Sequence, residues 1–214
     1  MTESRICSNL THLLGHLATL SNPPATLVAV SKLKLVIDIM AAYKAGQRHF
    51  GENYVSELCE KAPQLPSDIR WHFIGHLQSN KVRKLLTECP DLYMVESVDS
   101  AKLASKLDQT LASLSRTGLK VLVEVRTSLE ETKSGVSVSE VAKLVEHIKT
   151  SCPNLCFDGL MTIADPNDPE TCFEQLRALG IGPTLSMGMS GDYPIAISHG
   201  STQVRIGSTI FGSR

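Results

Sequence analysis

Residues 27–35 read LVAVSKLKL: four apolar or small residues, then Ser31 and Lys32, then a segment at 34–45 with the spacing of a helix. A strand that feeds a helix opens two architectures, the doubly wound open sheet and the closed parallel barrel. In the first, a glycine-rich turn of the GxGxxG type normally follows the first strand, so that the backbone can approach a pyrophosphate. Here that place holds a serine and a lysine. The segment therefore predicts the barrel, with Lys32 at the C-terminal end of its first strand.

Working outward, strand-like segments recur at 27–31, 49–52, 71–75, 93–96, 121–126, 157–162, 184–189 and 204–206, with helix-like segments at 34–45, 54–61, 80–88, 101–115, 139–150, 170–179 and 193–197. Before them, Ile6, Leu10, Leu13, Leu14 and Leu17 fall at helical spacing. No linker interrupts the alternation. The expectation is a single α/β domain over residues 1–214, a TIM-like (β/α)8 barrel with an extra N-terminal helix and lead-in at 1–25. Right-handed crossovers then bring the C-terminal ends of all strands to one face, where barrels keep their sites.

The charge balance, 21 basic against 22 acidic side chains for a net charge of −1, is spread along the chain without a basic stripe. That argues against nucleic acid and anionic membrane as partners and for a small molecule. No apolar run approaches the roughly 20 residues that cross a bilayer. Cys7, Cys59, Cys89, Cys152, Cys156 and Cys172 form no CxxC pair, and the start MTESRICSNL lacks the features of a secretory signal. A cytoplasmic protein with reduced thiols is expected. No metal site is expected either: His72 lies in a strand and His76 follows Gly75, so the pair lacks helical i, i+4 geometry, and Cys152 and Cys156 have no second ligand pair nearby. Trp71 and Phe73 alternate with His72 and are expected to face the helices.

The last thirty residues, LSMGMSGDYPIAISHGSTQVRIGSTIFGSR, carry two strand candidates that each run into a small-residue turn, Ser190-Gly191 and Gly207-Ser208-Thr209. Small residues let backbone N–H groups approach an anion, and hydroxyls add donors. Arg205 lies two residues before Gly207 and can point into the same space. Either turn alone reads as an ordinary strand end; the two with an arginine read as a phosphate site. Lys32 adds an amine at the same face, and partial desolvation exposes the free base that condenses with aldehydes. A solvated lysine opening the next helix is the equal alternative from that segment alone, and Lys34 fits it better. Lysine, phosphate turns and arginine together outline a site for pyridoxal phosphate, which combines an aldehyde, a phosphate and a pyridine ring. A phosphosugar barrel shares the phosphate turns and competes, but it needs a carboxylate acid/base pair, for which Glu52, Glu96 and Glu124 are loose candidates.

The motifs VAVSK, HFGENYVSE, WHFIGHLQSNKV, TKSGV, GLMTI, LSMGMSGDY and GSTQVRIGSTIFG, running in order from residue 28 to 212, resemble the pyridoxal-phosphate homeostasis protein family. That family is related to the N-terminal barrel of alanine racemase, a fold-type III pyridoxal phosphate binder. The resemblance implies a Schiff base at Lys32, Asn53 near the ring's phenolic oxygen, the phosphate at Ser190 and the Gly207-Ser208 turn, and Arg205 facing the pyridine nitrogen. Tyr54, beside Asn53, is expected to pack at a helix start. The chain departs from the family in a shorter segment at 164–184, in Leu33 and Leu35 of SKLKL for SKTKP, in Arg126 for an asparagine, and in ending at Arg214 without a C-terminal tail.

The function implied is a carrier or buffer of the cofactor in vitamin B6 homeostasis, with no residue assigned to catalysis and with apo pyridoxal-phosphate enzymes as acceptors. The alternative is a fold-type III amino-acid racemase or decarboxylase. Those enzymes add a second domain that brings another proton-transfer residue, and the 214 residues are expected to leave no room for it.

Overall fold

The structure, a computed structural model, describes residues 2–128 and 134–212. The ends of the expected domain, Met1 and Arg214, and Thr132-Lys133 of the TKSGV motif lie outside the described residues. Eight parallel strands close a barrel: β1 (Thr26–Val30), β2 (His49–Glu52), β3 (Arg70–Phe73), β4 (Leu92–Val98), β5 (Leu119–Arg126), β6 (Leu155–Met161), β7 (Thr184–Ser186) and β8 (Gln203–Ile206). Each pairs with its sequence neighbour, and β8 returns to β1 with Val28 opposite Arg205. A two-residue strand, Val136–Ser137, lies beside the end of β5 outside this ring.

Around the barrel run α2 (Val36–Lys44), α3 (Val55–Lys61), α4 (Val82–Glu88), α5 (Ala101–Ser113), α6 (Val141–Ser151), α7 (Pro169–Ala178) and α8 (Tyr193–Ser198). Strand side chains alternate in direction. One set, including Phe50, Trp71, Phe73, Val95, Val121, Val123 and Ile206, joins the apolar layer under the helices. The other fills the barrel, where Met94, Leu122 and Met161 form a small apolar plug and His72, Glu96, Gln203 and Arg205 form a polar column described below. Helix α1 (Glu3–Leu20) buries Ile6, Leu10, Leu13 and Leu17 against α2 and the elements after β7. Asn9 Nδ2 donates to the Ile210 carbonyl at 3.0 Å, tying α1 to the last turn of the chain.

Most boundaries shift from the sequence reading by one or two residues, and three places near the site differ for a definite reason. The seventh strand stops at Ser186 rather than 189, because Gly188 takes φ +98° and turns the chain; Met189 N–H then donates to Asp192 Oδ1, which starts α8. The third strand stops at Phe73, where Gly75 approaches the Asn53 backbone closely enough that no side chain would fit. The expected Gly207-Ser208-Thr209 turn opens a one-turn helix, α9 (Ser208–Phe211). The segment at 164–184 still supplies the ten residues of α7, capped by Asp168 accepting from Thr171 N–H, with Cys172, Phe173 and Leu176 buried.

Candidate cofactor site

The strand ends bring Lys32, Asn53, Ser190, Arg205, Gly207 and Ser208 to one cavity of about 340 Å³ at the C-terminal mouth of the barrel. That is within the roughly 300–1,000 Å³ of small-ligand sites. Lys32 stands just past β1, whose apolar residues are held in the sheet on both sides. Lys34 also reaches the rim, but its Nζ donates to the Phe211 and Gly212 carbonyls at 3.3 and 3.1 Å. Lys34 thereby ties the loop to the end of α9.

Across the mouth, Ser190 and Gly191 sit on the tight loop between β7 and α8, which is closed by the Tyr193 N–H to Met189 carbonyl bond of 2.9 Å. Space beside Gly191 is open, whereas a side chain at Gly207 would press on the Val30 carbonyl at 3.1 Å. Small residues are therefore used where the cavity and the β1 backbone come close. Ser208 opens α9, and the first N–H groups of a helix have no partner within it.

Arg205 is buried in the barrel. Its Nη1 donates to the Ser186 carbonyl at 2.8 Å and to Ser186 Oγ at 2.7 Å, and its Nη2 donates to the Thr162 carbonyl at 2.7 Å. Three of the five N–H groups of the guanidinium are thereby engaged, and two remain for the cavity it lines. Asn53 Oδ1 is buried with no hydrogen-bond partner among the described residues. A buried amide without a partner is costly; turned over, the same group offers an N–H donor to an oxygen in the cavity.

Below Arg205 runs the polar column that the sequence reading missed. Arg70 Nη1 meets His49 Nε2 at 3.2 Å, His49 Nδ1 meets His72 Nε2 at 2.8 Å, and His72 Nδ1 meets Glu96 Oε1 at 2.6 Å. Glu96 also accepts from Gln203 Nε2 at 2.8 Å and Ser186 Oγ at 2.6 Å, and Ser186 leads to Arg205. All the bonds between Arg70 and Glu96 are satisfied when each group donates toward the carboxylate. Burial alone would raise the Glu96 carboxyl, but the hydrogen bond from His72, the nearby Arg205 charge and the Ser186 bond outweigh it and hold the group below its usual range. Burial, His72 and Arg70 push His49 down to about 4. Strand parity carried the missing signal: Gln203 shares the face of Arg205, and His72 takes the face opposite Trp71 and Phe73.

None of the loose carboxylates lines the cavity. Glu52 turns away from it toward α3, where Lys61 binds it. Glu96 lies in the column, and Glu124 accepts from Ser134 Oγ at 2.6 Å, with burial raising its carboxyl. The acid/base pair needed by a phosphosugar enzyme is therefore not formed at this cavity among the described residues. Tyr54 stands at the start of α3, half exposed on a neighbouring groove and not on the cavity of Lys32. His72 is enclosed, while His76 is exposed with Nδ1 at 3.5 Å from Asp99. Among the described residues, no three His, Cys, Asp or Glu side chains gather as metal ligands, and no helix is long and apolar enough to cross a membrane. The six cysteines are free, with only Cys156 exposed.

Fold and site together define a parallel barrel of the alanine racemase N-terminal domain class, whose family signature matches residues 7–214. The Bos taurus pyridoxal phosphate homeostasis protein is 50% identical, over 88% of this chain and 77% of its own length. The Homo sapiens protein of the same name is 48% identical, over 88% and 76%. Among solved structures, PipY of Synechococcus elongatus with PLP bound superposes with a TM-score of 0.84 at 32% identity, covering 97% of this chain and 100% of that one. The chain belongs to the pyridoxal phosphate homeostasis protein family.

Proposed function

We propose that this chain binds pyridoxal 5′-phosphate, holds it on Lys32 as a Schiff base, and carries or buffers it for apo enzymes in the cytosol. The observation that carries this reading is the single cavity on which Lys32, Asn53, Ser190, Arg205, Gly207 and Ser208 converge. The bound form of PipY and the names of the vertebrate relatives support it.

The cofactor, when bound, supplies an aldehyde that condenses with an amine and releases one water. The rest falls to the protein. The hydroxyls of Ser190 and Ser208, with the backbone at Gly191 and Gly207, suit a phosphate dianion. Arg205 has donors left for the pyridine nitrogen, and the unsatisfied amide of Asn53 suits the phenolic oxygen. An arginine cannot surrender its proton, so it leaves the ring nitrogen unprotonated. The cavity walls hold no tyrosine, histidine or carboxylate among the described residues, which favours carriage over racemisation or decarboxylation.

Titration of the purified chain with pyridoxal phosphate tests the proposal. The expected result is a saturable visible Schiff-base band that Lys32→Ala abolishes, with weak binding of the phosphate end surviving in dialysis. A wild-type chain that develops no band at saturating cofactor overturns it.

A further inference from the structure

Lys32 is flanked by two residues that the same side-chain cluster grips. Lys61, in the last turn of α3, is buried, and its Nζ donates to the Ser31 carbonyl at 2.9 Å, to Glu52 Oε1 at 2.8 Å and to Glu57 Oε1 at 2.5 Å. Glu57 Oε1 in turn accepts the Leu33 N–H at 2.5 Å. Ser31 Oγ donates to Glu52 Oε1 at 2.8 Å, on the other side of Lys32. The backbone on both sides of Lys32 is therefore fixed to α3 and β2 through Lys61 and its two carboxylates.

The grip matters because Leu33 adopts φ +60°. A left-handed conformation is unfavourable for a non-glycine residue, whose Cβ crowds the following carbonyl oxygen. Leu33 recovers little of this through burial, since it is 57% exposed. The turn is closed by the Lys34 N–H donating to the Ser31 carbonyl at 3.0 Å, and Glu57 adds a side-chain acceptor for the Leu33 N–H at its centre. The cluster is also an expensive way to gain stability: one ammonium and two carboxylates lie at the strand end, and Glu52 Oε2 is buried without a partner among the described residues. Buried ion groups of this kind add little stability over an apolar replacement of the same shape. They do fix direction.

We propose that Lys61 and Glu57 are positioning residues that aim Lys32 into the cavity, a role that rests on the Schiff base proposed above. Lys61 is not itself the amine that reacts, because its three N–H donors are all taken. The bonds of Lys61 and Glu57 go to the backbone beside Lys32 and to Glu52. They touch neither the Ser190 loop nor the Gly207-Ser208 turn.

The test compares two ligands: pyridoxal phosphate, and 4-deoxypyridoxine phosphate, which keeps ring and phosphate but has no aldehyde. Lys61→Met, Glu57→Ala and the conservative Glu57→Gln are made, each checked for folding by circular dichroism. In Glu57→Ala the Schiff-base band should form at least about tenfold more slowly, since small misplacements of a reacting group are costly. Binding of the aldehyde-free analogue should stay within about twofold, and Glu57→Gln, which keeps an acceptor for Leu33 N–H, should recover most of the rate. Lys61→Met should show the same split; if it does not fold, Glu57→Ala decides, because that side chain is partly solvent-exposed. A folded Glu57→Ala that forms the band at the wild-type rate overturns the proposal, as does parallel loss of rate and analogue affinity. A wild-type chain that forms no band removes the cofactor reading and this proposal with it.

Discussion

Replacing Glu96 by glutamine keeps the shape of the side chain and removes its charge, which makes it the sharpest perturbation of the barrel interior. Glu96 is fully buried and accepts from His72, Gln203 and Ser186 at 2.6, 2.8 and 2.6 Å. Glutamine can accept at only one of its two ends, so the three bonds cannot all keep their present direction, and Ser186 Oγ must turn from donor to acceptor if His72 and Gln203 keep theirs. The buried Arg205 also loses a carboxylate that offsets its burial. Breaking a buried charge pair costs about 3–5 kcal/mol, and a domain of this size shifts its Tm by roughly 2–4 °C per kcal/mol. The expected fall is therefore roughly 6–20 °C in thermal unfolding, with a matching drop in urea midpoint at unchanged slope. Cofactor affinity should fall as well, because Ser186 links Glu96 to Arg205. A Glu96→Gln chain within about 1 kcal/mol of wild type, with unchanged affinity, would refute the view that the column holds Arg205 in place.

Ser190→Ala and Ser208→Ala should each weaken pyridoxal phosphate binding by about 0.5–1.5 kcal/mol for a neutral bond and up to about 3 for a charge-assisted one. Sulfate should compete in titration calorimetry, and a double variant of wild-type affinity would remove the anion site. Because the folded protein holds His49 at about 4, below the usual histidine range, the unfolded chain binds the extra proton first as pH falls. Stability contributed by neutral His49 is thus complete above about pH 6.5 and lost toward pH 4; His49→Gln should flatten the Tm-against-pH curve across that window, and an unchanged slope would contradict the assignment. Alanine in deuterium oxide should exchange its α-proton far more slowly than the roughly 10 s⁻¹ of a typical enzyme, followed by NMR. Fast exchange would restore the racemase.

The barrel was legible because each strand is a short apolar run followed by a helix-spaced segment, and because SKLK after the first strand excludes a glycine-rich phosphate turn. The gathering of six residues at one mouth followed from strand ends and turn chemistry, with Asn53 added by family resemblance. Other features depend on contacts distant in sequence. The end of β7 was placed three residues late because Met187 and Met189 continue an apolar pattern through Gly188, whose positive φ is a backbone property. Lys61 looks like an ordinary basic residue in a last helical turn; only the closure of α3 onto β1 and β2 buries it. Glu52 reads as a strand-end carboxylate near the site, yet it shares the parity of Phe50 and so faces the helix layer.

The central claim is that Lys32, and no other amine, carries the cofactor. Incubation with pyridoxal phosphate, reduction with borohydride, and peptide mass spectrometry measure this directly. The account predicts a pyridoxyl group on Lys32, with Lys34 and Lys61 unmodified because their amines are held by backbone carbonyls and carboxylates. A stoichiometric adduct on Lys34, Lys61 or any other lysine, with Lys32 unmodified, would contradict it.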